Sequence, residues 1–85
     1  MPWDIQVSRQ ARRDLANLSS DDRAAVDAAI RRVANDPTQG DFKKLQGGRG
    51  WRLRVGHWRV ILDLDNRSGV MRVARVLNRR DAYRG

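Results

Sequence analysis

The sequence predicts an α+β domain in which a helical hairpin packs on one face of a small antiparallel sheet and leaves a basic face open opposite. Three observations predict this fold: a short alternating strand near the N-terminus, two adjacent amphipathic helices, and three alternating strands joined by short turns. The 85 residues are expected to form one domain, residues 1–85, because a chain of this length buries a single thin core.

The first part of the chain predicts a strand and two helices. Residues 2–7 (PWDIQV) alternate apolar and polar side chains, as a strand with one buried face does. Ser8 is a good N-cap for a first helix, which runs to about Leu18. A Ser-Ser pair caps a second helix, which ends where the sequence NDP begins at Asn35. Because little more than a cap separates the two helices, they should form an antiparallel hairpin.

The next part predicts a loop at residues 37–50 and then a β-hairpin. The hairpin reads WRLRV, a Gly56-His57 connection, and WRVIL. A two-residue connection that starts with glycine fits a type II′ turn, whose first central residue needs a positive φ. In this register the Trp, Leu and Val side chains share one face, and the other face carries Arg52, Arg54 and Arg59. Arg54 faces Arg59 directly, and such costly like-charge pairing indicates a surface that meets an anion.

The last part predicts a third consecutive strand and a polar tail. A DNRSG turn at residues 65–69 precedes the strand at residues 70–77. The tail, residues 78–85, carries three arginines and the only tyrosine of the chain. Together with Lys43 and Lys44 in the loop, this tail flanks the arginine face. A concave basic surface with one aromatic residue suits single-stranded RNA, because cations bind phosphates and a ring stacks on a base.

Composition limits the partners and the kinds of site. The chain has 18 Lys and Arg against 10 Asp and Glu, a formal net charge of +8 and a pI near 11.5. A domain this basic is expected to bind a polyanion, nucleic acid first, with an acidic protein as the alternative. The absence of cysteine and the single histidine argue against a disulfide or a metal site. Without a long apolar run or a signal peptide, we expect a cytoplasmic protein.

The ordered motifs of the chain resemble those of a known superfamily. The short strand and the helical hairpin are followed by KLxG at residues 44–47, RxRxGxWR at residues 52–59, a further strand, and RRDxY at residues 79–83. In this order and at this length, they resemble the RelE/ParE superfamily of bacterial type II toxin–antitoxin toxins. The resemblance covers nearly the whole chain.

The resemblance implies one of two toxic activities. The RelE-like branch, which we favour, implies an mRNA interferase: an endoribonuclease without metal or cofactor that cuts mRNA on the ribosome, inhibits translation and arrests growth. The ParE-like branch implies a toxin that poisons DNA gyrase without cleaving RNA. A third interpretation is a non-toxic protein that only binds nucleic acid or its cognate partner.

Either toxin branch implies an antitoxin partner, and neither implies a membrane or a small-molecule substrate. We expect the toxin-binding segment of the antitoxin to be acidic, since the domain is basic. Such a segment would lie across the domain as a helix or an added strand and cover the basic face.

The resemblance also implies the site residues. Carried over by position, the catalytic set is Arg54, Arg59, Arg79 and Tyr83. The RNA-binding set is Lys43, Lys44, Arg49, Arg52 and Arg80. Many relatives have a histidine before the tail arginine, where this chain has Asn78. Because arginine does not lose its proton in proteins, the general base stays open between Lys44, His57 and a group of the ribosome.

Overall fold

The structure, a computed structural model, describes residues 3–36, 38, 40–45 and 50–82. Two helices pack against a five-stranded mixed sheet, which confirms the predicted α+β fold. No helix within these ranges is long and apolar enough to cross a membrane. The elements in chain order are β1 (Asp4–Val7), α1 (Arg9–Ala16), α2 (Ser20–Asn35), β2 (Asp41–Lys44), β3 (Trp51–Val55), β4 (Trp58–Asp65), β5 (Val70–Asn78) and α3 (Arg79–Ala82).

The sheet differs in two ways from the four-stranded antiparallel sheet predicted by the sequence. Its strand order is β1-β5-β4-β3-β2, and β1 pairs in parallel with β5, so the sheet is mixed. The helical pair carries the chain across to the far edge, which leaves β1 beside the last strand. The strand β2 lies inside the predicted loop and pairs with β3. Its sequence, DFKK, is short and charged, as natural edge strands are, and gives little alternation to detect.

The predicted β-hairpin is confirmed in register and in turn geometry. β3 and β4 pair antiparallel, with Val55 opposite Trp58 and Arg54 opposite Arg59. Gly56 has a φ of +57°, whereas no described residue other than glycine has a positive φ, which is the pattern of a type II′ turn. Nothing lies within 4 Å of a Cβ added at Gly56. The position therefore needs glycine for its backbone conformation, not for space.

The core lies between the helices and one face of the sheet. Both helices and the three central strands contribute fully buried side chains to it. The three tryptophans are half-buried and pack around this core, as does Phe42, whose ring stacks on Trp51 with centroids 4.8 Å apart. The buried hydrophobic residues are Ala11, Leu18, Val26, Ile30, Val33, Ala34, Leu53, Val60, Leu62, Met71, Val73 and Val76.

Both helix N-terminal caps predicted from the sequence are present. Ser8 Oγ accepts a hydrogen bond from Ala11 N at 3.0 Å, and Ser19 Oγ accepts one from Asp22 N at 3.1 Å. The hydroxyl of Ser8 also donates to the carbonyl oxygen of Ala74 at 2.8 Å. This second bond attaches the start of α1 to β5.

An ion pair holds α1 against β5 beyond the end of β1. The carboxylate of Asp14 accepts hydrogen bonds from Arg75 Nε and from Val76 N, both at 2.9 Å. Burial alone raises the pKa of Asp14, but these hydrogen bonds and the charge of Arg75 together bring the pKa below its usual value of 3.8. The ionised carboxylate therefore stabilises the contact between helix and sheet.

Candidate functional site

The turn of the β3–β4 hairpin and the start of α3 meet at one end of the sheet. Arg79 N donates a hydrogen bond to His57 O at 2.7 Å, and α3 packs against β4 and β5. Asn78 precedes α3, and its Oδ1 accepts a hydrogen bond from Arg80 N at 3.2 Å, as an N-cap does. The polar tail predicted from the sequence therefore begins as a short helix attached to the hairpin turn.

Two open cavities lie at this end of the molecule. The first, here called the tip cavity, has a volume of about 590 Å³ and is lined by Arg54, Gly56, His57, Arg59 and Arg79. The second, here called the tail cavity, has a volume of about 780 Å³ and is lined by His57, Asn78, Arg79 and Arg80. His57 and Arg79 line both cavities.

The three predicted catalytic arginines thus come together in the tip cavity. Neither set of described lining residues includes a carboxylate.

The position of Arg59 corrects the sequence prediction, which placed it on an open face. The residue is only 4% exposed and is the one buried polar or charged residue in the described part of the chain. Its Nη1 donates to Gly56 O and to Trp58 O, both at 2.9 Å. The side chain therefore turns back to the carbonyl oxygens of its own hairpin instead of extending into solvent.

The guanidinium of Arg59 is buried away from any acidic side chain that the structure describes. Its Nε is buried without a hydrogen-bond partner, and no acidic side chain of the described residues forms an ion pair with it. Burying a charge is costly unless an opposite charge and hydrogen bonds compensate for it. Because Arg59 also lines the tip cavity, its uncompensated charge borders space that an anionic group can enter.

The other predicted RNA-binding residues fall into separate places. A third cavity of about 370 Å³ is lined by Lys43, Lys44, Leu45 and Arg52, and it shares no described lining residue with the tip cavity. Lys43 faces Arg52 across the two strands, so both lie on the arginine face. Lys44 faces Trp51 and so lies on the side of the sheet that the helices cover. Arg80 instead lines the tail cavity.

Two of the predicted site residues, Arg49 and Tyr83, lie outside the described residues. Conversely, the sequence pattern does not select Gly56 and Asn78 as lining residues, although each has a signal. A glycine that starts a two-residue turn presents its carbonyl group at the tip, and an asparagine before RRD is a good helix cap.

The arrangement supplies positive charge and one imidazole. Among the described residues, no group of three or more His, Cys, Asp or Glu side chains is placed to hold a metal ion. Guanidinium groups donate hydrogen bonds to phosphate oxygens and stabilise negative charge as it develops in a reaction. The tip cavity can therefore bind an anion and stabilise it.

Comparison with known families gives one match over almost the whole chain. The matching family model describes the ParE toxin of the type II toxin–antitoxin system parDE, and it covers residues 5–83. No curated protein sequence matches the chain.

Several solved toxin–antitoxin complexes contain a chain of similar fold. The RelBE2 complex of Mycobacterium tuberculosis matches with a TM-score of 0.83 at 24% identity, over 93% of each chain. The archaeal RelE–RelB complex from Pyrococcus horikoshii OT3 matches with a TM-score of 0.80 at 20% identity, over 100% of each chain. The DinJ–YafQ complex of Escherichia coli matches with a TM-score of 0.67 at 18% identity, again over 100% of each chain. At these identities the similarity is one of fold.

Proposed function

The chain belongs to the RelE/ParE superfamily of type II toxin–antitoxin toxins, and we propose that it is an mRNA interferase, a ribosome-dependent endoribonuclease that blocks translation. The observation that carries this proposal is the buried guanidinium of Arg59, which has no ion pair among the described side chains and lines a cavity shared with Arg54, His57 and Arg79. A phosphodiester of mRNA is an anion that would balance this charge. Translating ribosomes, and hence the proposed activity, lie in the cytoplasm.

The proposed roles follow from what RNA cleavage without a metal requires. The 2′-hydroxyl must lose a proton, the negative charge of the phosphorane must be stabilised, and the 5′-oxygen must gain a proton. Arg54, Arg59 and Arg79 stabilise the phosphorane, because all three line the tip cavity. Tyr83 stacks on a base or assists proton transfer. The residues that bind the rest of the RNA backbone are Lys43, Lys44, Arg49, Arg52 and Arg80.

Primer extension on a reporter mRNA tests this function. The protein is added to a cell-free translation system and, in parallel, to the same mRNA without ribosomes. The expected result is a set of cuts inside codons that appear only during translation. Cuts on the mRNA without ribosomes would show that the protein is a nuclease whose activity does not require the ribosome. Intact mRNA, from a protein that still arrests growth, would overturn the proposal.

A matched pair of double variants assigns the cleavage to the tip cavity. Replacing both Arg54 and Arg79 with alanine should lower the rate of cleavage by at least about 100-fold, because charge stabilisation of the phosphorane is lost. The control is Arg12→Ala with Arg13→Ala, which removes the same charge from exposed positions of α1. Equal losses of activity in the two double variants would attribute the effect to net charge alone.

Gyrase poisoning is the second candidate function, because the matching family model describes a ParE toxin. In this alternative the cationic residues at the hairpin tip form a binding surface and not a catalytic site. A supercoiling assay with purified gyrase separates the two candidates. Inhibited supercoiling and DNA breaks, together with intact mRNA, would establish the ParE-like activity.

We also propose that the partner of the chain is an antitoxin with an acidic toxin-binding segment. The similar structures named above are complexes of a toxin with an antitoxin, and this chain has a net charge of +8. An acidic segment would bind more weakly as salt screens the interaction. Complex formation that is unchanged at high salt and after neutralisation of Arg54 and Arg79 would contradict this expectation.

A further inference from the structure

We infer that His57 is the general base that removes the proton from the attacking 2′-hydroxyl group, an inference that rests on the proposed ribonuclease function. Its place in the fold is the first reason. His57 is the second residue of the hairpin turn, it is exposed, and it lines both the tip cavity and the tail cavity. An imidazole between the two cavities is within the same space as the guanidinium groups that would hold the phosphate.

The backbone fixes the position of this residue. Gly56 adopts the positive φ that the turn requires, and its carbonyl oxygen accepts a hydrogen bond from Arg59. The carbonyl oxygen of His57 accepts one from Arg79 N at 2.7 Å. The turn is thereby attached on one side to the buried arginine and on the other to the start of α3. These bonds fix the backbone that carries the imidazole beside the two cavities, and proton transfer depends on a defined distance to the reacting oxygen.

The other described candidates for the base are excluded by chemistry or by position. The arginines of the two cavities stay protonated and cannot accept a proton. Lys44 lines the separate cavity beside β2 and lies on the helix-covered side of the sheet. The amide of Asn78 does not take up a proton, and its Oδ1 already caps α3. Of the described residues lining the two cavities, His57 alone has a side chain that can both take up a proton and release it again.

The proposed step balances without a further reactant. The neutral imidazole takes the proton of the 2′-hydroxyl, and the 2′-oxygen forms a bond to phosphorus. The bond between phosphorus and the 5′-oxygen breaks, and its electron pair stays on that oxygen, which takes a proton from water. The products are a 2′,3′-cyclic phosphate and a free 5′-hydroxyl, and the imidazolium returns its proton to solvent. The guanidinium groups of Arg54, Arg59 and Arg79 hold the negative charge throughout.

The test measures single-round cleavage of mRNA on stalled ribosomes by the wild-type protein and by His57→Asn. Asparagine is accepted in turns and keeps hydrogen-bonding capacity, but it cannot act as a base. The expected result is a fall in the maximal rate of about 100-fold with an unchanged half-saturating concentration. Any rise of the cleavage rate with pH that the imidazole causes should also disappear, since no other described residue lining the two cavities can act as the base. The matched control is Asn66→Ala, in the exposed turn at the other end of β4.

A second variant separates proton transfer from a structural role. His57→Ala leaves room for exogenous imidazole, which should restore part of the cleavage rate in proportion to its concentration. Wild-type rates in His57→Asn would overturn the inference and leave the ribonuclease function standing. A raised half-saturating concentration without rescue by imidazole would also overturn it, by making His57 a binding residue. Failure of the proposed function looks different, because the wild-type protein itself would then leave mRNA intact.

Discussion

Two arginines on neighbouring strands have opposite environments, and the difference separates the scaffold of this protein from its site. The side chain of Arg75 on β5 is 42% exposed. Its Nε lies 2.9 Å from Oδ2 of Asp14 in α1, whose side chain is 13% exposed. Arg59 on β4 is 4% exposed, and its partners among the described residues are the carbonyl oxygens of Gly56 and Trp58. Among the described residues the exposed charge is in an ion pair and the buried charge is not, which reverses the usual arrangement in stable domains.

This comparison indicates what each charge contributes. The pair of Arg75 and Asp14 joins a helix to the sheet and also satisfies the backbone of Val76, so it supports the fold. The buried guanidinium of Arg59 is expected to lower stability, because no carboxylate that the structure describes compensates for its desolvation. Functional sites commonly keep such destabilising groups, since the same uncompensated charge binds the substrate. Three predictions test this division.

The largest expected effect is on the rate of mRNA cleavage, and it is measured in two single variants that replace Arg59 or Arg75 by methionine. Arg59→Met should lower cleavage by about 100- to 1000-fold, because Arg59 is one of the three guanidinium groups proposed to stabilise the phosphorane. Its free energy of unfolding should be equal to or above that of the wild type, since an apolar side chain of similar length replaces a buried charge that has no described counter-charge. Primer extension and urea denaturation measure the two quantities.

The matched variant is Arg75→Met, on the strand beside it. Here cleavage should stay within about twofold of the wild type, and stability should fall by up to about 1 kcal/mol, the range for an ion pair with one exposed partner. Loss of activity in both variants, or loss of stability in Arg59→Met alone, would remove the distinction between the two arginines.

The second largest expected effect is a loss of stability when Asp14, the ion-pair partner of Arg75, is replaced. Asp14→Ala should lower the free energy of unfolding by about 1–3 kcal/mol, because Val76 N loses its acceptor and Arg75 its counter-charge. The cleavage rate of the folded protein should not change, since Asp14 is not among the described residues that line either cavity at the hairpin tip.

The pH dependence of this effect has a defined sign. The pKa of Asp14 is lower in the folded state than its usual value of 3.8, so its contribution is complete above that value and is lost as pH falls through the folded pKa. The stability difference between the wild type and Asp14→Ala should thus be constant above about pH 5 and shrink below about pH 4. The pKa of Asp65 is also lowered, by hydrogen bonds from Ser68 and Arg67. Because Asp65 is present in both proteins, its contribution cancels in the stability difference. A difference that grows on acidification would contradict this account.

The extent to which the sequence predicts these features depends on how local they are. The hairpin register and the position of Arg54 opposite Arg59 follow from the Gly-His turn and the two-residue alternation, and both are confirmed. The sequence does not predict the strand β2, because its four mostly charged residues show no alternation of apolar and polar side chains. For the same reason it does not predict that Lys44 lies on the helix side of the sheet. The parallel pairing of β1 with β5 joins residues far apart in the chain, which periodicity cannot detect.

In the candidate site, too, only part of the arrangement could be predicted from the sequence. The resemblance predicts which arginines belong together, and the tip cavity contains Arg54, Arg59 and Arg79. The burial of Arg59 could not be predicted, because alternation along a strand indicates only the face on which a side chain lies. Whether that face is solvated at a given residue depends on what packs around the side chain, here the hairpin turn, whose carbonyl oxygens accept hydrogen bonds from Arg59.

The smallest expected effect compares the two glycines with positive φ, one in each turn of β4. Gly56 has a φ of +57° and Gly69 a φ of +71°, and a Cβ would meet nothing within 4 Å at either position. Replacement by alanine should therefore lower the free energy of unfolding by a similar amount, about 1 kcal/mol each, from backbone strain alone. Only Gly56→Ala should also slow cleavage, because this turn holds His57 and the carbonyl oxygen that Arg59 binds. Equal cleavage rates in two equally destabilised variants would show that the hairpin turn is scaffold, like the turn at the other end of the sheet.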